Sequence, residues 1–76
     1  MFGVTRETVA RIRKEYPVGT RVELVCMYNE RLSPGDRGTV TCVDDIATIH
    51  VKWDCGASLG VVYGEDKCRK ITDEEV

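Results

Sequence analysis

Four cysteines, one histidine and the neighbouring carboxylates Asp44-Asp45 and Glu65-Asp66 are the first candidates for chemistry in this chain. The thiols are Cys26, Cys42, Cys55 and Cys68. Structural zinc sites draw their ligands from close pairs such as C-x₂-C, because one knuckle must present two thiolates to one ion. No two cysteines here are close in sequence. No metal and no cofactor are therefore expected, and Cys26 and Cys42 read as small core hydrophobes. The single histidine, His50, falls at an outward strand position between Ile49 and Val51. Cys–His nucleophilic chemistry needs the thiol within hydrogen-bond reach of the base. Strand parity puts Cys26 and Cys42 on the opposite side of the sheet from His50. Asp44-Asp45 and Glu65-Asp66 both fall in turns, where carboxylates bond nearby main-chain amides, so they read as local caps. Gly35-Asp-Arg-Gly38 lacks the Lys-Ser/Thr that completes a phosphate cradle. A chain of 76 residues also has little room for a ligand pocket, which takes about 300 Å³ or more. No catalytic residue is assigned and no enzyme is expected.

The elements that must position these residues are short. Thr5 is placed to cap a helix over 5–16, with Glu7 in its first turn, where the positive end of the dipole favours an acid. Val9, Ile12 and Tyr16 recur at helical spacing. Tyr16 precedes Pro17, which disfavours further helix. Pro17 to Thr20 is a turn into a strand over 21–27, with Val22, Leu24 and Cys26 inward and Arg21, Glu23 and Val25 outward. A polar loop over 28–36 turns at Ser33-Pro34-Gly35. A strand over 38–43 follows, with Val40 and Cys42 inward.

The clearest pattern is the hairpin 48–63. Ile49, Val51 and Trp53 share one parity, and Leu59, Val61 and Tyr63 repeat it across the turn at Asp54-Cys55-Gly56. Residues 64–67 are a tight connection of up to one 3₁₀ turn, 68–71 a closing strand, and 72–76 a frayed tail. Five short strands with Gly-bearing turns predict a mainly β fold: a small SH3-like five-stranded antiparallel barrel with one N-terminal α-helix. The whole chain, 1–76, reads as a single domain with its barrel over 19–71, and Trp53 as its core anchor.

Net charge is −2, from 11 basic and 13 acidic residues. Non-specific nucleic-acid binding rests on clustered Lys and Arg, and that global footprint is missing. No apolar run approaches the roughly 20 residues that span a bilayer. The N-terminus does not read as a secretory signal. A reducing, cytoplasmic setting and free thiols are the expectation.

Thr8-x-x-x-Ile12-Arg-Lys-Glu-Tyr-Pro-Val-Gly-Thr-Arg-Val-Glu-Leu24 resembles one half of a small bacterial family. Gly38-Thr-Val-Thr-x-Val-Asp-Asp45, Val51-Lys-Trp-Asp54 and Leu59-x-Val-Val-Tyr-Gly-Glu-Asp66 resemble the other half. The family is the one catalogued as domain of unknown function 4314, and the likeness covers residues 5–71. It implies an SH3-like protein of gut Firmicutes, often carried on phage-like or conjugative elements. It supplies no reaction and no catalytic residues. One departure is Cys55-Gly56, where the family usually has Asn-Gly. Asn tolerates left-handed backbone better than Cys.

Two functions fit this build. The preferred one is a non-enzymatic adaptor that binds a protein or a second copy of itself. It would use an outward apolar patch of Val25, Val43 and Val62, unless the helix covers that patch, or an edge strand. The alternative is weak nucleic-acid binding through Arg21, Arg37, His50 and Lys52, with Tyr28 and Tyr63 reading as core rather than as stacking platforms. A continuous basic stripe favours the second. An apolar patch ringed by mixed charge favours the first.

Overall fold

The Thr5 hydroxyl accepts a hydrogen bond from the Thr8 amide at 3.1 Å and starts helix α1, Arg6–Glu15. This satisfies one of the amide donors left unpaired at a helix start. Tyr16 closes the helix in a non-helical conformation, as a residue before proline must. The computed structural model describes residues 4–27 and 31–71. The expectations for Tyr28 and for a frayed tail over 72–76 lie outside the described residues.

Five strands follow: β1 Arg21–Cys26, β2 Arg37–Val43, β3 Ile49–Trp53, β4 Ser58–Val61 and β5 Lys67–Lys70. They form one sheet in the order β4-β3-β2-β1-β5, with every neighbouring pair antiparallel. Among the described residues β4 and β5 do not pair, so the sheet has two open edges rather than the closed ring expected. The edges differ in chemistry. β4 is uncharged, Ser-Leu-Gly-Val, whereas β5 carries three cations in four residues, Lys-Cys-Arg-Lys. Like charge on an edge discourages pairing between copies of it.

The core lies between the inner face of the sheet and α1. Val22, Leu24, Val40, Val51 and Trp53 are buried there, joined by Val9 and Ile12 of the helix. Trp53 is the anchor: it is 1% exposed, and its indole N–H donates to the Leu59 carbonyl at 3.0 Å. Gly38 pairs with Trp53 in register. A side chain at Gly38 would strike the Lys52 carbonyl at 2.8 Å and Trp53 Cα at 2.9 Å, so β2 lies against β3 there only because glycine has no Cβ. Arg13 ties the helix to the end of β2, donating to the Val43 carbonyl at 3.0 Å.

Two bulges break the alternation expected from the sequence. The register shifts between Leu24 and Cys26 in β1, and between Val40 and Cys42 in β2. An extra residue at a bulge rotates everything after it by one parity step. Cys26 and Cys42, expected inward, are therefore exposed. Val43, expected outward, is buried at 9% exposure. Cys42 is also the register partner of His50, so those two share a face instead of opposing one another.

Both long hairpins use a three-residue loop. Around Asp54-Cys55-Gly56, the Gly56 amide donates to the Trp53 carbonyl and the Trp53 amide to that of Ala57. Only Gly56 has positive φ, at 99°. Cys55 needs no left-handed backbone, so this turn does not require asparagine there. The β2–β3 loop repeats the pattern, with the Ala47 amide bonded to the Asp44 carbonyl. There a non-glycine residue, Ala47, takes the left-handed position at φ 62°. The connection 62–66 is a hydrogen-bonded turn without 3₁₀ helix.

Candidate functional site

The four basic candidates, Arg21, Arg37, His50 and Lys52, all lie on the outer face, away from the helix. Arg21, Thr39 and Lys52 form one cross-strand row. Carboxylates interrupt the cations. Arg21 grips Asp54 with both guanidinium nitrogens, at 2.8 and 2.6 Å. That bond holds the Asp54 carboxyl below its ordinary range and raises the Arg21 pKa further. Glu23 sits between Arg37, at 3.2 Å, and Arg69, at 3.4 Å. The outer face is thus a ladder of alternating charge and not a basic stripe.

His50 is hydrogen-bonded to Asp44, its Nε2 lying 2.9 Å from Asp44 Oδ2. The other Asp44 oxygen accepts from the Ile46 and Thr48 amides at 3.0 and 2.9 Å. Asp66 likewise accepts from the Val62 amide at 3.0 Å. Both turn carboxylates are local caps, as their positions in sequence predict. Partial burial alone would raise the Asp44 pKa. The bonds from His50, Thr48 and Ile46 outweigh it and hold the carboxyl below its ordinary value.

A carboxyl whose folded pKa is depressed adds stability above its unfolded pKa, about 3.9. That stability disappears as pH falls through the lower, folded value. The urea midpoint of the wild type is therefore expected to drop as pH falls below about 4. Asp44→Asn should lose about 1 kcal/mol at neutral pH and show a shallower acid fall. Equal acid slopes in the two proteins would refute this role.

No group of three His, Cys, Asp or Glu side chains among the described residues is arranged to hold a metal ion. No helix among them is long and apolar enough to cross a membrane.

The apolar surface lies elsewhere. A groove of about 500 Å³ opens where the sheet fails to close, between the C-terminal half of α1 and the start of β5. Its floor is Ile12, Ile49 and Val61, and its walls are Tyr16, Val25 and Tyr63. This is more concavity than the chain length suggests. Tyr63 is 48% exposed and Val25 46%. The expectation that Tyr63 is core thus fails, because β4 ends at Val61 and the chain turns outward before it. Burial, with the Cys68 and Glu15 charges behind it, pushes the Tyr16 hydroxyl up to about 12. Burial, aided by Glu15, pushes the Cys68 thiol up to about 11. Both groups stay neutral at physiological pH and keep the groove apolar. Its rim is mixed in charge: Glu15, Asp66 and Lys67.

The three candidate valines do not form one patch. Val25 lines the groove, Val43 is covered beside the helix, and Val62 is partly buried in the turn after β4. Tyr16, Tyr63 and Cys68, absent from the sequence candidates, are what complete the site. Another depression, of about 510 Å³, opens at the start of α1 but is edged by Arg6, Arg13 and Asp45.

The model of one protein family, described as Domain of unknown function (DUF4314), matches residues 5–71. The chain belongs to this family. The DUF4314 match runs from the Thr5 cap through β5, and so takes in every wall of the groove. No curated protein matches the DUF4314 chain in sequence.

Proposed function

We propose that this DUF4314 chain is a non-enzymatic, SH3-like binding module that docks a protein partner in the groove between α1, β4 and β5. The observation that carries this reading is a concave apolar cleft with Tyr63 and Val25 exposed in its walls and both signs of charge on its rim. The two edge strands of the sheet both contribute to the groove, β4 through Val61 and β5 through Lys67 and Cys68, which supports an SH3-like barrel left open on one side. The bacterial, cytoplasmic and mobile-element setting implied by the family resemblance belongs to the same proposal. Nucleic-acid binding is the weaker alternative, because carboxylates occupy Arg21 and Arg37 on the outer face.

A photoreactive phenylalanine analogue placed at Tyr63 tests the reading against the same analogue at Lys52 on the outer face. In extract from a bacterial host, Tyr63 is expected to yield discrete protein adducts and Lys52 none. Adducts from Lys52 alone, sensitive to nuclease, would favour the alternative. Silence at both positions would remove the groove as a docking site.

A further inference from the structure

The two open edges are not equivalent toward the groove. β4 reaches it only through the buried Val61 of its floor, whereas β5 lines it with Lys67 and Cys68. The Ile71 amide donates to the Arg21 carbonyl at 3.0 Å, which sets the phase of the β1–β5 ladder. Antiparallel alternation then turns the main-chain groups of Cys68 and Lys70 away from β1, toward the open side. An incoming extended chain would find its hydrogen-bond partners there.

The side chains of the same strand define the charge of that visitor. Arg69 lies on the outer face against Glu23. Lys67 borders the groove, and the Lys70 ammonium stands 6.0 Å from the centre of the Tyr16 ring that walls it. Neither lysine has a carboxylate partner among the described residues. The groove's own acids offer little competition. Asp66 is held as a turn cap, and Glu15 faces Arg11 at 4.0 Å.

We infer that the partner segment is an extended, acidic strand that adds to the free edge of β5. It lays one large apolar side chain into the groove and sets carboxylates against Lys67 and Lys70. Strand addition takes its affinity from main-chain bonds and its selectivity from side-chain pockets. Here the pocket walls are Val25, Tyr16 and Tyr63, and the selectivity for charge comes from the two lysines. This inference rests on the groove being the docking site and adds the chemistry of what docks.

The test uses two short synthetic peptides and the full chain labelled with ¹⁵N. One peptide flanks a central phenylalanine with two consecutive glutamates on each side and ends in valines, so that carboxylates reach both faces of the added strand, and the other replaces each glutamate by lysine. The acidic peptide is expected to shift the amides of Val25, Tyr63, Cys68 and Lys70, and the lysine peptide to leave them in place. Replacing both lysines (Lys67→Glu, Lys70→Glu) should weaken the acidic peptide by about fivefold or more and admit the lysine peptide. Both side chains are exposed, so the variant's remaining spectrum should be unchanged.

Equal binding of both peptides in the groove would overturn the acidic assignment while leaving the groove as a docking site. Shifts confined to Arg21, Arg37 and Lys52 would mean charge attraction without strand addition, and would overturn it too. If neither peptide shifts the groove amides, the inference falls. Cross-linking from Tyr63 then decides separately whether the groove reading falls with it.

Discussion

Replacing Trp53 with alanine is expected to leave the chain largely unfolded at room temperature, without a cooperative transition in urea. A folded chain of 76 residues holds roughly 4–11 kcal/mol in total, and small folds bury the least surface per residue. Truncating a buried tryptophan costs about 3–5 kcal/mol, as much as the whole margin at the lower end of that range. The side chain heads the fully buried ones by size, ahead of Leu24, Val22 and Val40, and belongs to the same core cluster as they do. Trp53→Phe separates packing from the indole bond to Leu59. It keeps an aromatic ring and should cost only about 1–2 kcal/mol. Circular dichroism during urea titration reads both. An alanine variant within about 1 kcal/mol of wild type would show that the core is organised around something else.

The second large effect comes from a residue with no side chain. Gly38→Ala places a methyl group 2.6 Å from Val51 Cγ1, 2.8 Å from the Lys52 carbonyl and 2.9 Å from Trp53 Cα. Two of these three contacts are main chain in the middle of the sheet, which cannot move without separating β2 from β3. Overpacking of this kind costs about 2–3 kcal/mol, and the change should lower the thermal midpoint sharply. Gly60→Ala is the milder control, since its nearest neighbour is a side-chain methyl, Thr48 Cγ2 at 2.5 Å. If Gly38→Ala proves as mild as that control, the sheet is more pliable than its register implies.

Local signals in the sequence place the helix and all five strands. The Thr5 cap, the Pro17 stop and the alternation through Val51 and Trp53 each reflect chemistry within a few residues, and each lies where expected. Parity fails at Cys26, Cys42 and Val43 because each bulge depends on the partner strand as well as on its own sequence. Nothing in Thr41 or Val25 alone announces the extra residue. The groove is harder still to foresee. It exists because β4 and β5 leave a gap, and whether two distant strands pair is decided by the whole sheet. Tyr16 and Tyr63 are widely separated in sequence, and only that gap brings them to one site. The charged residues tell a similar story. Arg21 and Arg37 are visible in the chain, while the acids that neutralise them arrive from other strands.

The register of the thiols governs how this protein responds to air. Cys42 stands across from His50, Cys26 from Lys67, and Cys68 from Leu24, and Cys55 occupies a hairpin tip. No cysteine is the direct register partner of another across a strand pair. Three of the sulfurs meet solvent, and their available partners are those of other molecules. Loss of reductant is therefore expected to link copies covalently through these exposed thiols, and a sharp single band under non-reducing electrophoresis becomes the sign of intact material.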